Sequence, residues 1–160
     1  MGCDYVTDST IYYVERGSRL LSASSGMPTE AENERSRFAE YDRSTGAVRY
    51  VDAPLEEEIF SVLYDEDFIY VIGWVDNGNY PYDDTYSAQH TLYFLNRDYQ
   101  LVDQITLEPG VFCNVVASDR IFFSDNNAPL TDYLDKSEIG SHKLTLHPLE
   151  AVGFPQVETP

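Results

Sequence analysis

The chain has 160 residues, 42% of them hydrophobic and 14% aromatic, enough for one hydrophobic core. Acidic residues outnumber basic ones 28 to 10, and the resulting net charge of −18 excludes the positive surface that nucleic-acid phosphates require. No stretch is long or apolar enough to predict a transmembrane helix or a signal-peptide core.

Taken in chain order, apolar and β-branched runs bounded by polar turns predict strands throughout. Ile11-Tyr12-Tyr13 opens the series, followed by a small, polar loop from Arg16 to Arg37 that includes Ser22, Gly26, Glu30, Glu32 and Glu34. Strands at Phe38–Tyr41 and Ala47–Val51 follow. The clearest unit comes next: Ile59–Tyr64, Phe68–Trp74, Thr91–Asn96 and Gln100–Leu107, with turns at Asp65-Glu66-Asp67 and Arg97-Asp98 and a long loop from Val75 to Gln89. Ile121-Phe122-Phe123, Leu144–His147 and Ala151–Val157 complete the pattern. The Asp125–Ser141 stretch between them reads as a loop, with a short helical turn allowed from Leu130 to Lys136.

These segments form three copies of one arrangement. Ile11, Ile69 and Ile121, each followed by two bulky residues, stand 58 and 52 residues apart, and Cys3, Ser61 and Cys113 each lie eight residues earlier. Copies of about 50 residues with four strands apiece fall in the period range of β-propeller blades, which cover one another's faces. The predicted fold is therefore all-β: about three four-stranded blades over residues 1–58, 59–110 and 111–160 in one propeller-like domain. A single up-and-down β-barrel is the alternative. A barrel wall facing water alternates in polarity, whereas Phe68–Ile72 and Leu92–Leu95 run apolar without a break, as strands covered on both faces do. Propellers close with four to eight blades, so three blades imply either further blades of a longer chain or a homo-oligomer.

Two short motifs carry a family resemblance. Ile69-Tyr70-Val71-Ile72-Gly73 resembles the second strand of a kelch blade, and Glu40-Tyr41-Asp42-Arg43-Ser44-Thr45-Gly46 resembles the strand and turn of quinoprotein-like bacterial propeller repeats. Trp74 replaces the second glycine of the kelch pattern, and no blade has a tryptophan after its fourth strand. The resemblance implies a fold and transfers no catalytic residue.

The long loops between second and third strands emerge on one face of such a fold, and binding is expected there. The second of them combines rigid aromatic surface with carboxylates: Trp74, Asp76, Tyr80, Tyr82, Asp83 and Asp84. That mixture suits a protein, peptide or carbohydrate ligand, or a cationic one. Asp125 and Asn126 on the third loop extend the candidate site. A noncatalytic binding or scaffold segment is the expected function; a propeller-type carbohydrate-active enzyme with Asp83 or Asp84 among its acids is the alternative.

Other chemistry is less well supported. Asp76-Asn77-Gly78-Asn79 lacks the spaced ligands and closing glutamate of a calcium loop, and reads as a solvated turn. His90 and His142 both precede a leucine by two residues, but equivalent third strands diverge beyond metal-ligand distance. No nucleophile, base and orienting acid stand at a recognisable spacing, and no cofactor is expected. Cys3 and Cys113, two blades apart, are expected to be free thiols. The acidity serves solubility, and favours an extracellular or cell-surface setting over the cytoplasm.

Overall fold

The computed structural model describes residues 4–15, 35–74, 90–125 and 129–149, with the side chains of Trp74 and Asp125 outside the description. It is an all-β molecule of three four-stranded antiparallel sheets. The first sheet runs β1 (Tyr5–Val6), β2 (Thr10–Glu15), β3 (Arg37–Asp42) and β4 (Val48–Asp52), each strand pairing with the next. The central sheet repeats the order with β5 (Glu58–Tyr64), β6 (Phe68–Trp74), β7 (Thr91–Asn96) and β8 (Leu101–Thr106). The third contains β9 (Val111–Val116), β10 (Arg120–Asp125), β11 (Leu130–Asp135) and β12 (His147–Pro148). Among the described residues no strand pairs across sheets, so the single closed barrel is not formed.

The unbroken apolar runs of the central sheet have the cause expected of them, since both faces of that sheet are covered. Side chains alternate along a strand. Ile69, Val71, Tyr93 and Leu95 enter one core with Phe38 of the first sheet; Tyr70, Ile72, Leu92 and Phe94 enter a second core with Ile121, Phe123 and Leu134 of the third. The central sheet is thus the middle layer of three. Full burial of each such side chain contributes about 1.5–3 kcal/mol.

The third sheet departs from the sequence reading. Its third strand is Leu130–Asp135, where a loop and a helical turn were expected, and a 3-10 turn follows only at Lys136–Glu138. Leu144 and Leu146 are not in a strand; they pack half-buried against the second core, which accounts for their strand-like alternation. The cause is loop length. Only residues 126–129 separate β10 from β11, against 16–36 and 75–90 in the other sheets, so equal spacing placed the strand too late. The expected strand at Ala151–Val157 lies outside the described residues.

Each third strand ends in the same turn. Asp42, Asn96 and Asp135 close β3, β7 and β11, and each side-chain Oδ1 accepts the backbone N–H two residues on, from Ser44, Asp98 and Ser137, at 2.9 Å. Such side-chain turns reverse the chain without a backbone ladder. Hydrogen bonds from the Ser44 hydroxyl and from the Ser44 and Thr45 amides hold the Asp42 carboxyl below its ordinary pKa. A basic residue follows directly in every case: Arg43, Arg97 and Lys136.

Candidate functional site

The ends of β2 and β6, where the two long loops leave their sheets, lie on the same side as the Asp52–Glu58 link from the first sheet to the central one. Strand pairing fixes this, with Glu15 opposite Arg37, Arg37 opposite Asp52, and Glu58 opposite Trp74. Two contacts join the sheets there. The Ser36 amide donates to Glu58 Oε1 at 3.0 Å, and Arg35 donates to the carbonyls of Leu55 and Glu57 at 2.5 and 2.7 Å.

A cleft of about 480 Å³ opens at this end, lined by Arg35, Ser36, Arg37, Asp52 and Ala53. Its volume is within the range of small-ligand sites. Arg37 lies 3.7 Å from the centre of the Tyr50 ring and 3.4 Å from Glu15, an ion pair exposed by 41% and 44% and therefore weak. The guanidinium is held by stacking while remaining accessible to a ligand. The Tyr50 hydroxyl bonds to Glu15, which holds its pKa above the ordinary value.

Behind the cleft, Glu58 is 4% exposed. Its Oε1 accepts the amides of Ser36 and Ile59, both at 3.0 Å, while Oε2 has no hydrogen-bond partner among the described residues. A buried carboxylate oxygen without a donor is costly. Glu57 lies over Gly73, where a methyl group would overlap its carboxylate and stand 2.8 Å from the Tyr93 ring. Burial first, and then the nearby Glu57 charge, push the Tyr93 hydroxyl up to about 12. His90 completes this end of the central sheet; its Nδ1 is 3.1 Å from the Gly73 carbonyl, and its ring packs against Phe60 and Phe112 at 5.3 and 5.4 Å. That buried, packed position is structural. His142 is not its equivalent, for it sits exposed at φ 58° with Nδ1 3.6 Å from Asp103.

The sequence-predicted site residues fall mostly outside this description. Asp76, Tyr80, Tyr82, Asp83, Asp84 and Asn126 lie beyond the described residues, as does the Asp76–Asn79 turn; Trp74 and Asp125 are placed by backbone only, at the ends of β6 and β10. Arg35, Arg37, Asp52 and Glu58 escaped the sequence reading. One signal was available: two arginines two residues apart, in a chain with only ten basic residues, at the start of a predicted strand. Among the described residues no group of three or more His, Cys, Asp or Glu side chains could hold a metal ion, and no helix is long and apolar enough to cross a membrane. The sequence matches no family model, and neither the curated proteins nor the solved structures contain a significant match.

Proposed function

We propose that this chain is a noncatalytic binding module, a segment of β-propeller type whose ligand, a peptide, protein segment or glycan, docks at the end where the long loops leave the sheets. The observation that carries this reading is the cleft itself. An accessible guanidinium (Arg37), held by stacking on the Tyr50 ring, and a carboxylate (Asp52) line it together, and behind them lies the Glu58 oxygen that has no partner among the described residues. Such a set matches the amides, hydroxyls and charges of a peptide or sugar. The stacked three-sheet order, with both faces of the middle sheet buried, supports the propeller assignment. The kelch-like and quinoprotein-like motifs fall on β6 and on the β3–β4 turn, consistent with it.

Trp74, the single tryptophan, ends β6 at the same end, so its fluorescence can report binding. Peptide and glycan arrays are to be probed with the chain and hits titrated by that signal. Arg37→Ala is expected to weaken binding about tenfold, or 1.4 kcal/mol, while leaving the thermal midpoint nearly unchanged. Turnover of any glycan on the array would replace this reading with the carbohydrate-active one.

A further inference from the structure

The two sheet-to-sheet interfaces inside the molecule share one device, in which the basic residue after the third strand of the later sheet reaches back to the first hairpin of the preceding one. Arg97 of the central sheet lies over Tyr5 and Tyr12 of the first, at 5.0 and 4.3 Å from their ring centres. Lys136 of the third sheet binds Asp65 and Asp67 of the central sheet at 2.8 and 3.1 Å. Arg43 is the same residue of the first sheet, which no other sheet precedes among the described residues. Its guanidinium donates to the Thr7 carbonyl, between β1 and β2 of its own sheet, at 2.9 Å.

The face behind Arg43 repeats one that is buried twice elsewhere. Ile69 and Leu95 pair across β6 and β7, and Ile121 and Leu134 pair across β10 and β11; all four are 0% exposed. Their counterparts on the first sheet are Ile11 and Tyr41, paired in the same way, yet Tyr41 is 36% exposed. At the far side of the molecule the third sheet repeats the receiving face. Asp119 precedes β10 as Asp67 precedes β6, and Phe122 follows its isoleucine as Tyr12 and Tyr70 follow theirs. The third sheet thus offers both kinds of acceptor the device uses, a carboxylate and a ring face.

We propose that the outer face of the first sheet packs on the outer face of the third sheet of a second copy, with Arg43 seated against Asp119 and Phe122 of that copy. Two such contacts related by a twofold axis close six sheets into a ring, within the four to eight that propellers use. The proposal rests on the repeated contact and not on what the cleft binds.

The test is the mass of the full chain by light scattering on a sizing column, for the wild type, Arg43→Glu and Asp119→Arg. The wild type is expected at twice 18.2 kDa, and each variant at 18.2 kDa. Reversing one charge of an interfacial pair sets like charges against each other. Mixing the two variants is then expected to restore the double mass. In the mixed dimer the carboxylate introduced at position 43 of one copy faces the guanidinium introduced at position 119 of the other, and the second contact keeps the native Arg43 and Asp119. That result also shows that each variant folds. A wild-type chain at 18.2 kDa or at any mass other than double, variants that stay dimeric, or a mixture that stays monomeric would each overturn the proposal.

Discussion

Replacing Lys136 by Met isolates one contact between the central and third sheets, keeping the aliphatic stem and removing the charge. The Lys136 side chain is 9% exposed, and Asp65 is 21% exposed at 2.8 Å. A hydrogen bond to a charged partner in such surroundings contributes about 1.5–3 kcal/mol. Asp67 is 64% exposed, and that ion pair adds at most a few tenths of a kcal/mol. Asp65 retains three other donors, the Asp67 and Phe68 amides and the Tyr70 hydroxyl, so the variant does not orphan a buried charge. The expected loss is about 2 kcal/mol, or roughly 4–8 °C in the melting temperature of a chain this size. Its pH dependence follows from the two groups. Burial pushes the Asp65 carboxyl up, but hydrogen bonds from Lys136, Phe68, Tyr70 and Asp67 outweigh it and hold the pKa below the ordinary value. A depressed carboxylate stabilises the fold above its unfolded-state pKa, and that contribution disappears as pH falls through the folded-state pKa. For Lys136, burial is opposed and exceeded by Asp65 and Asp67, which hold its pKa above the ordinary value. Its contribution is complete below the unfolded-state pKa and is lost only as pH rises through the folded one. Urea denaturation of wild type and variant should therefore differ by a constant amount around neutral pH and converge in acid below about pH 4. Equal midpoints at neutral pH, or a gap that does not narrow as pH falls below about 4, would refute this account of the contact.

Three further outcomes follow. Gly73→Ala should destabilise by about 1–3 kcal/mol, the cost of overpacking, because the methyl must displace the Glu57 carboxylate or the Tyr93 ring; a thermal melt checks it. Cys113, buried and with its thiol pushed up to about 12 by burial, should resist a thiol reagent at mildly alkaline pH until denaturant is added, when it should react promptly. Tyr82→Ala should weaken ligand binding; unchanged affinity would remove the second long loop from the site.

The legible part of this fold was the part repeated at even spacing. Phe68–Trp74 and Thr91–Asn96 have the bounds expected from sequence because unbroken apolar runs ending in Asp, Asn and Gly leave little choice of register. The third sheet was misplaced because hydrophobic spacing cannot distinguish a strand from an irregular segment packed on a core, as Leu144 and Leu146 are. Turn chemistry would have resolved it. Leu134-Asp135-Lys136-Ser137 matches Tyr41-Asp42-Arg43-Ser44 residue by residue, an apolar residue, a turn-forming Asp, a cation and a serine, and locates the end of β11 without any assumption about loop length. The cleft was less legible. Arg37 looks like a surface charge until pairing across β3 and β4 sets it opposite Asp52, Arg35 looks like one until it reaches the Leu55 and Glu57 carbonyls, and Glu58 reads as part of an acidic run until its strand buries it. Those are long-range consequences of register, which local composition does not encode.

Amide hydrogen exchange, with and without the peptide or glycan identified on the arrays, tests the placement of the site most directly. The account predicts slowed exchange at Ser36, Arg37 and the Asp52–Glu58 link, which border the cleft. Protection confined to the opposite ends of the sheets, at Asp65–Asp67 and Ser118–Arg120, would contradict it.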